Sequence, residues 1–125
     1  MKELTKAEEQ IMHILWKLKK AFVNDIIDQI PEPKPAYNTV STIIRILETK
    51  GVVSHKAYGK THEYYPLISK EQYTKGFLKG FIENYFSSSY KDMVSFFSKN
   101  EKLSAKDIEE IIEILQTQLK EQKEK

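Results

Sequence analysis

Cysteine is the most restrictive absence in this 125-residue chain. Without cysteine the protein forms no disulfide, carries no thiol nucleophile and offers no thiolate to a metal. Long apolar runs are also missing, since no stretch reaches the ~20 apolar residues that a membrane-spanning helix needs. Residues 1–9 are charged and lack the apolar segment of a signal peptide. We therefore expect a soluble, cytoplasmic protein that does not insert into a membrane.

Catalytic signatures are scarce as well. The four glycines form no glycine-rich phosphate loop, and the sequence has neither a nucleophile elbow nor a histidine paired with a nucleophile. His55 and His62 would face each other across a hairpin with Glu63 nearby, but this pattern is more typical of surface histidines than of a metal site. We predict that the protein is not an enzyme and uses no cofactor and no metal.

Charge is unevenly distributed along the chain. Charged residues make up 30% of the sequence, yet the formal net charge is only +2. Residues 34–60 depart from this balance, because Glu48 is their only acidic residue. Their five cationic residues are Lys34, Arg45, Lys50, Lys56 and Lys60. Local positive charge of this kind predicts a face that docks on phosphates, with ordinary surface lysines as the alternative.

Hydrophobic periodicity predicts three helices followed by a hairpin. The helices are expected over residues 5–18, 23–30 and 37–50. Two short strands then flank a Tyr58-Gly59-Lys60 turn, and Pro66 ends the second strand. This order is that of a winged helix-turn-helix, a fold that places its third helix in a DNA major groove and its hairpin against the backbone.

The third predicted helix has two unlike faces. Its apolar stripe consists of Val40, Ile43, Ile44 and Leu47. The opposite face carries short hydrogen-bonding side chains and one guanidinium: Asn38, Ser41, Thr42 and Arg45. A solvated helix face usually carries Glu/Lys pairs instead, so this face favours contact with DNA. Gly51 suits the left-handed position just after the helix.

After Pro66 large aromatic residues dominate. Helices are expected over residues 69–86, 90–98 and from Ser104 onward. A segment this short buries too little surface to be stable alone, so we expect it to pair with a second copy. Folding back onto its own winged domain is one alternative, and a ligand cavity lined by the aromatic residues of 73–86 is another. The residues expected in the dimer interface are Phe77, Phe81, Tyr85, Met93, Phe97, Ile108, Ile112 and Leu115.

Three stretches of the chain resemble the penicillinase repressor family, the BlaI/MecI group of bacterial regulators. Residues 4–16 contain the family's Glu-x-x-(Ile/Val)-Met-x-x-(Ile/Leu)-Trp helix, and residues 37–51 are similar to its Thr-(Val/Ile)-x-Thr recognition helix, which closes with Lys-Gly. The third stretch is Tyr64-Tyr65-Pro66-Leu67 at the exit of the hairpin, with Leu103-Ser104 opening the last helix. The resemblance covers nearly the whole chain, and the order and spacing of the three stretches make it specific.

The resemblance implies a dimeric transcriptional repressor that is mainly α-helical with a small β wing. Residues 1–67 would form the winged-helix DNA-binding domain, and residues 68–125 a three-helix dimerisation domain. Carried over by position, the residues facing double-stranded operator DNA would be Asn38, Thr39, Ser41, Thr42 and Arg45 on the third helix, with Lys56, Tyr58 and Lys60 on the wing.

The family also implies a regulatory circuit. It binds palindromic promoter DNA, and a neighbouring membrane receptor-protease pair relieves repression by cleavage in the dimerisation domain. Antibiotic-resistance members are cut at an Asn-Phe bond, whereas this chain has Phe96-Phe97 at that place with no asparagine before it. The cysteine cluster of the copper-responsive branch is absent.

Two other functions fit the same pattern of elements. A winged helix can bind a protein instead of DNA, and the aromatic helices can line the pocket of a ligand-sensing regulator. The polar, nearly acid-free face of the third helix and the basic wing favour DNA.

Overall fold

The computed structural model describes residues 3–125, which divide into two compact units, one ending at Lys79 and one spanning Gly80–Lys125. The winged helix-turn-helix fold with a helical C-terminal part is confirmed. The helices and strands are α1 (Lys6–Leu18), α2 (Val23–Asp28), α3 (Tyr37–Thr49), β1 (Val53–Tyr58), β2 (Thr61–Pro66), α4 (Lys70–Phe86), α5 (Tyr90–Asn100) and α6 (Ala105–Lys123).

The core of the first unit is formed by the inward faces of three helices and the base of the wing. Ile11, Met12 and Leu15 of α1 are fully buried. They share one cluster with the α3 stripe and with residues of α2 and the strands, among them Ile26, Val40, Ile44, Leu47, Val53 and Tyr64. Ile43, expected to face inward, is only partly buried and packs against the margin of this cluster.

An internal ion pair joins the start of α1 to the end of α3. Thr5 and Glu8 form a capping box, in which each backbone amide donates to the other's side chain at 3.2 Å. Glu8 is nevertheless buried, and Lys50 Nζ donates to both of its carboxylate oxygens, at 2.5 and 3.1 Å. Burial raises the pKa of Glu8, but the hydrogen bonds from Lys50 and Thr5 outweigh burial and hold it below its ordinary value.

α2 is shorter than predicted because its last turn tightens before Pro31. The amides of Gln29 and Ile30 donate to carbonyls three residues back, both at 3.0 Å, so the α-helix ends at Asp28. Lys34 Nζ then donates to the carbonyl oxygens of Ile27, Asp28 and Ile30. This lysine therefore caps the helix end.

The wing is a two-stranded antiparallel sheet whose register runs from Val53 opposite Pro66 to Tyr58 opposite Thr61. Gly59, at the tip, has a φ of 64°, a left-handed conformation that glycine adopts at no steric cost. Gly51, between α3 and β1, has a φ of 81°, as predicted for the residue after the helix. Ala21 and Tyr64 exchange two backbone hydrogen bonds, which tie the α1–α2 loop to β2.

The first turns of α4 belong to the first unit. Trp16 Nε1 donates to the carbonyl of Ile68 at 2.9 Å, and its ring lies 5.7 Å from that of Tyr73. The Tyr73 hydroxyl donates to Glu9 at 2.5 Å, and burial together with this carboxylate raises the pKa of Tyr73. Trp16 itself is partly buried. The compact units consequently divide inside α4, later than the predicted functional boundary at residue 67.

The second unit consists of the end of α4 with α5 and α6. Ile82 is buried, and the Phe86 ring lies 5.7 Å from both Phe81 and Phe96. The break between α4 and α5 contains Ser87 and Ser88, both with positive φ. Every residue of α5 and α6 is at least partly exposed.

Candidate nucleic-acid interface

The outward face of α3 presents four of the predicted DNA-facing residues. Asn38, Thr39, Thr42 and Arg45 are all exposed. The N-cap of the helix is Ala36, whose methyl side chain cannot accept a hydrogen bond, so neither threonine caps the helix. The structure thus leaves this face accessible along about two turns.

Ser41 differs from its neighbours because it is buried. Its hydroxyl accepts a hydrogen bond from Arg45 Nη2 at 3.1 Å. Since positions i and i+4 lie one above the other on a helix, Ser41 restrains the guanidinium from the turn below. We infer that Ser41 positions Arg45. That Ser41 itself faces DNA stays a prediction.

A cleft of about 350 Å³ separates α3 from the wing. Arg45 and Glu48 line it from α3, His55 and His62 line it from the strands, and Lys60 lines it from the turn of the hairpin. Arg45 belongs both to the exposed face of α3 and to the lining of this cleft, so the helix and the wing adjoin in one surface.

The wing is attached to α3 by a side-chain contact that the sequence pattern did not predict. Glu48 Oε2 lies 2.5 Å from His55 Nδ1, and the rings of His55 and His62 stack with centroids 4.1 Å apart. The two histidines do face each other as expected, but the carboxylate beside them is Glu48 and not Glu63. Burial, followed by the charge of Glu48, raises the pKa of the neighbouring Tyr64. The contact of Glu48 with His55 joins α3 to β1 through tertiary packing, and residue spacing carries no signal for it.

The tip of the wing carries the remaining predicted contacts. Lys56, Tyr58 and Lys60 are exposed. Lys56 Nζ lies 5.3 Å from the centre of the Tyr58 ring, which in turn lies 6.0 Å from the ring of Phe22. The aromatic ring therefore supports a cation at the wing tip.

The positive charge of residues 34–60 is partly used inside the protein. Lys34 is bonded to the end of α2, and Lys50 is paired with Glu8. Arg45, Lys56 and Lys60 remain on the surface formed by α3 and the wing. Fewer of the five cations are available to a ligand than the sequence implies, and the three that remain lie on this surface.

The predicted dimerisation residues lie mostly at the surface. Two of them, Met93 and Phe97, are half-buried. The other six are exposed: Phe77, Phe81, Tyr85, Ile108, Ile112 and Leu115. Tyr85, at 73% exposure, suits a contact surface better than an enclosed cavity. Phe96, in the predicted cleavage region, is also exposed, and its ring lies beside Phe86.

Two further observations concern residues 3–125 as a whole. They contain no cluster of three His, Cys, Asp or Glu side chains suited to a metal ion. A helix with the length and apolar character to cross a bilayer is likewise absent from them.

Known proteins resemble this chain over most of its length. The profile of a family described as penicillinase repressor matches residues 4–117. The methicillin resistance regulatory protein MecI of Staphylococcus aureus (strain N315) is 32% identical over 114 residues, which cover 90% of this chain and 93% of MecI. The penicillinase repressor of Bacillus licheniformis is 25% identical over 123 residues, which cover 98% and 96% of the two chains.

A solved structure matches the N-terminal part. The DNA-binding domain of the repressor BlaI, determined in solution, superposes with a TM-score of 0.50 at 26% identity. The match covers 58% of this chain and 94% of that domain. The resemblance carried by the three sequence stretches is thereby confirmed.

Proposed function

Since the chain belongs to the penicillinase repressor family, we propose that it is a cytoplasmic transcriptional repressor that binds palindromic promoter operators as a homodimer. The proposal involves no catalysis. The observation that carries it is the continuous surface on which the exposed face of α3 adjoins the basic wing.

The chemistry of this surface fits duplex DNA. Arg45 can bond bidentately to guanine, and Asn38 to adenine, in the major groove. Lys56 and Lys60 project from a hairpin that flanks α3, which suits contact with the phosphate backbone. Side chains suited to base edges on α3 thus lie next to side chains suited to phosphates on the wing, and the phosphate contacts would fix the orientation of the protein on the duplex.

The case for a dimer rests on the second unit. The α6 stripe exposes Ile108, Ile112, Leu115 and Leu119, each at 40% or more. Contiguous exposed apolar surface of this kind marks an interaction site. A second copy is the partner we favour, because a two-fold dimer presents two α3 helices to the two halves of a palindrome.

Release from DNA by proteolysis is a further part of the proposal. The segment from Ser87 to Lys102 includes the break between α4 and α5 and the short link to α6, where exposed backbone is open to a protease. A membrane receptor-protease pathway would supply the cut, as the family resemblance implies. The region of Phe96 and Phe97 is the place we propose for it.

Binding to duplexes selected from a random library tests the repressor function. Arg45→Ala should weaken binding by about 1–3 kcal/mol and relax base preference. Lys60→Ala should weaken binding to all sequences alike and reduce the slope of log K against log[salt] by about one for each subunit. Wild-type behaviour in both variants would refute the assignment of this surface. A protein that selects no duplex and shows no salt-dependent DNA binding would instead favour a protein-binding winged helix.

A further inference from the structure

An isoleucine occupies the middle of the outward face of α3. Ile46 is 43% exposed, although the apolar stripe of the same helix is buried. Thr42 lies one turn before it and Thr49 one turn after it. The three residues line a single shallow depression together with Arg45 and Lys50. We call Thr42, Ile46 and Thr49 the outer strip.

The two threonines have already used their hydrogen-bond donors. Thr42 Oγ1 donates to the carbonyl of Asn38 at 2.8 Å, and Thr49 Oγ1 donates to the carbonyl of Arg45 at 3.0 Å. A hydroxyl has one proton to donate. While these bonds persist, each threonine offers a ligand only its methyl group and oxygen lone pairs.

This arrangement limits what the outer strip can recognise. Phosphate oxygens and the guanine edge accept hydrogen bonds, so they need a donor that the strip lacks. Lys50, at the margin of the depression, is held by Glu8. Ile46 lies between the two threonines and has no polar atom, so the centre of the strip is suited to an apolar group. In the major groove that group is the 5-methyl of thymine.

We propose that the outer strip reads thymine, with Ile46 in contact with its 5-methyl group. The inference rests on the proposed function, since it requires α3 to enter the major groove. It adds a specificity determinant of a different chemical kind from Arg45, one that selects a methyl group and not a hydrogen-bonding edge.

The test uses deoxyuridine, which keeps the pairing of thymine and removes only the methyl group. Duplexes selected by the full-length protein from a random library would be resynthesised with deoxyuridine at each thymine in turn, in both half-sites at once. We expect one symmetric position at which deoxyuridine lowers the affinity of the wild type about fourfold per half-site. This is the contribution expected from burial of one methyl group.

Protein variants assign that position to Ile46. Ile46→Ala should lose a similar amount on the thymine duplex and then bind thymine and deoxyuridine duplexes equally. Leu67→Ala removes an exposed apolar side chain outside α3 and should keep the wild-type preference for thymine. Circular dichroism checks that both variants keep their helical content.

The outcomes separate this inference from the proposed function. Selection of a specific duplex without any deoxyuridine-sensitive position would overturn the thymine contact and leave the repressor function standing. An Ile46→Ala variant that retains the sensitivity would also overturn it. A library from which nothing is selected would defeat the proposed function, and the inference with it.

Discussion

Lys34 and Lys50 show why single residues resist prediction from sequence. Both contribute to the positive charge from which the sequence predicts a phosphate-docking face, yet Lys34 caps α2 and Lys50 neutralises Glu8. Glu8 and Lys50 are 42 residues apart, so no local pattern links them. Ser41 gives the same lesson, because its place on the polar face did not reveal that it is buried beneath Arg45.

The Glu8–Lys50 pair makes stability depend on pH. The pKa of Glu8 lies below its ordinary value of 4.5 in the folded protein. The unfolded chain therefore binds more protons in that range, and the stability contributed by Glu8 falls as the pH drops below about 4.5. Glu8→Gln should cost about 1–3 kcal/mol at pH 7, and the difference from wild type should shrink toward pH 3.

Urea unfolding followed by circular dichroism at both pH values measures this difference. Glu71→Gln is the matched control, because Glu71 pairs with Lys75 at the surface, where both side chains are exposed. This substitution should change stability little. A Glu8→Gln deficit that is equal at pH 3 and pH 7 would contradict the proposed linkage.

At the scale of elements, local signals were sufficient for most boundaries. The periodicity of α1 and α3, the glycine after α3 and the proline at the end of β2 each act within a few residues of their effect. The docking of α4 was not predictable in this way. Its aromatic residues read as one stripe, but Tyr73 packs against α1 while Tyr85 stays exposed, and only tertiary contacts separate them.

The contact between α4 and α1 can be tested through Trp16, the only tryptophan in the chain. Tyr73→Ala should lower stability by about 3–5 kcal/mol, because it removes a buried aromatic ring. It should also shift the emission of Trp16 to longer wavelength as water reaches the indole. Tyr73→Phe keeps the ring and loses the bond to Glu9, so it should cost about 1 kcal/mol without the spectral shift. Unchanged emission in Tyr73→Ala would show that Tyr73 does not shield Trp16.

For the molecule as a whole, the main open feature is the apolar surface of the second unit, which remains exposed in a single copy of the chain. Many of its largest apolar side chains, including Tyr85, Ile112 and Leu115, are about half exposed or more. Composition predicted an aromatic-rich segment too small for its own core. The dimer itself stays a prediction, because it is a property of two chains.

Charge placed in this surface tests the dimer. Ile112→Asp and Phe81→Asp should each yield monomers at micromolar concentration, since an unpaired carboxylate in an apolar contact costs several kcal/mol. Thr117→Asp adds the same charge on the opposite side of α6 and should leave the dimer intact. Sedimentation of the wild type as a monomer, or of the Ile112→Asp protein as a dimer, would exclude this interface.

The last prediction links the two units through the operator. A cut near Phe96 separates α6 from the rest of the chain, and with it the stripe of Ile112 and Leu115. The two winged domains would then bind their half-sites independently and lose an effective-concentration advantage of about 10²–10⁴-fold.

A protein truncated after Phe96 should therefore bind a full operator about as weakly as a single half-site. Because the first unit ends at Lys79, its fold and the emission of Trp16 should not change. A chain truncated after Glu121 removes charged terminal residues but keeps the α6 stripe, and it should bind like the full protein. If the shorter fragment still dimerises and holds the operator as tightly as the intact chain, cleavage in α5 cannot be the step that ends repression.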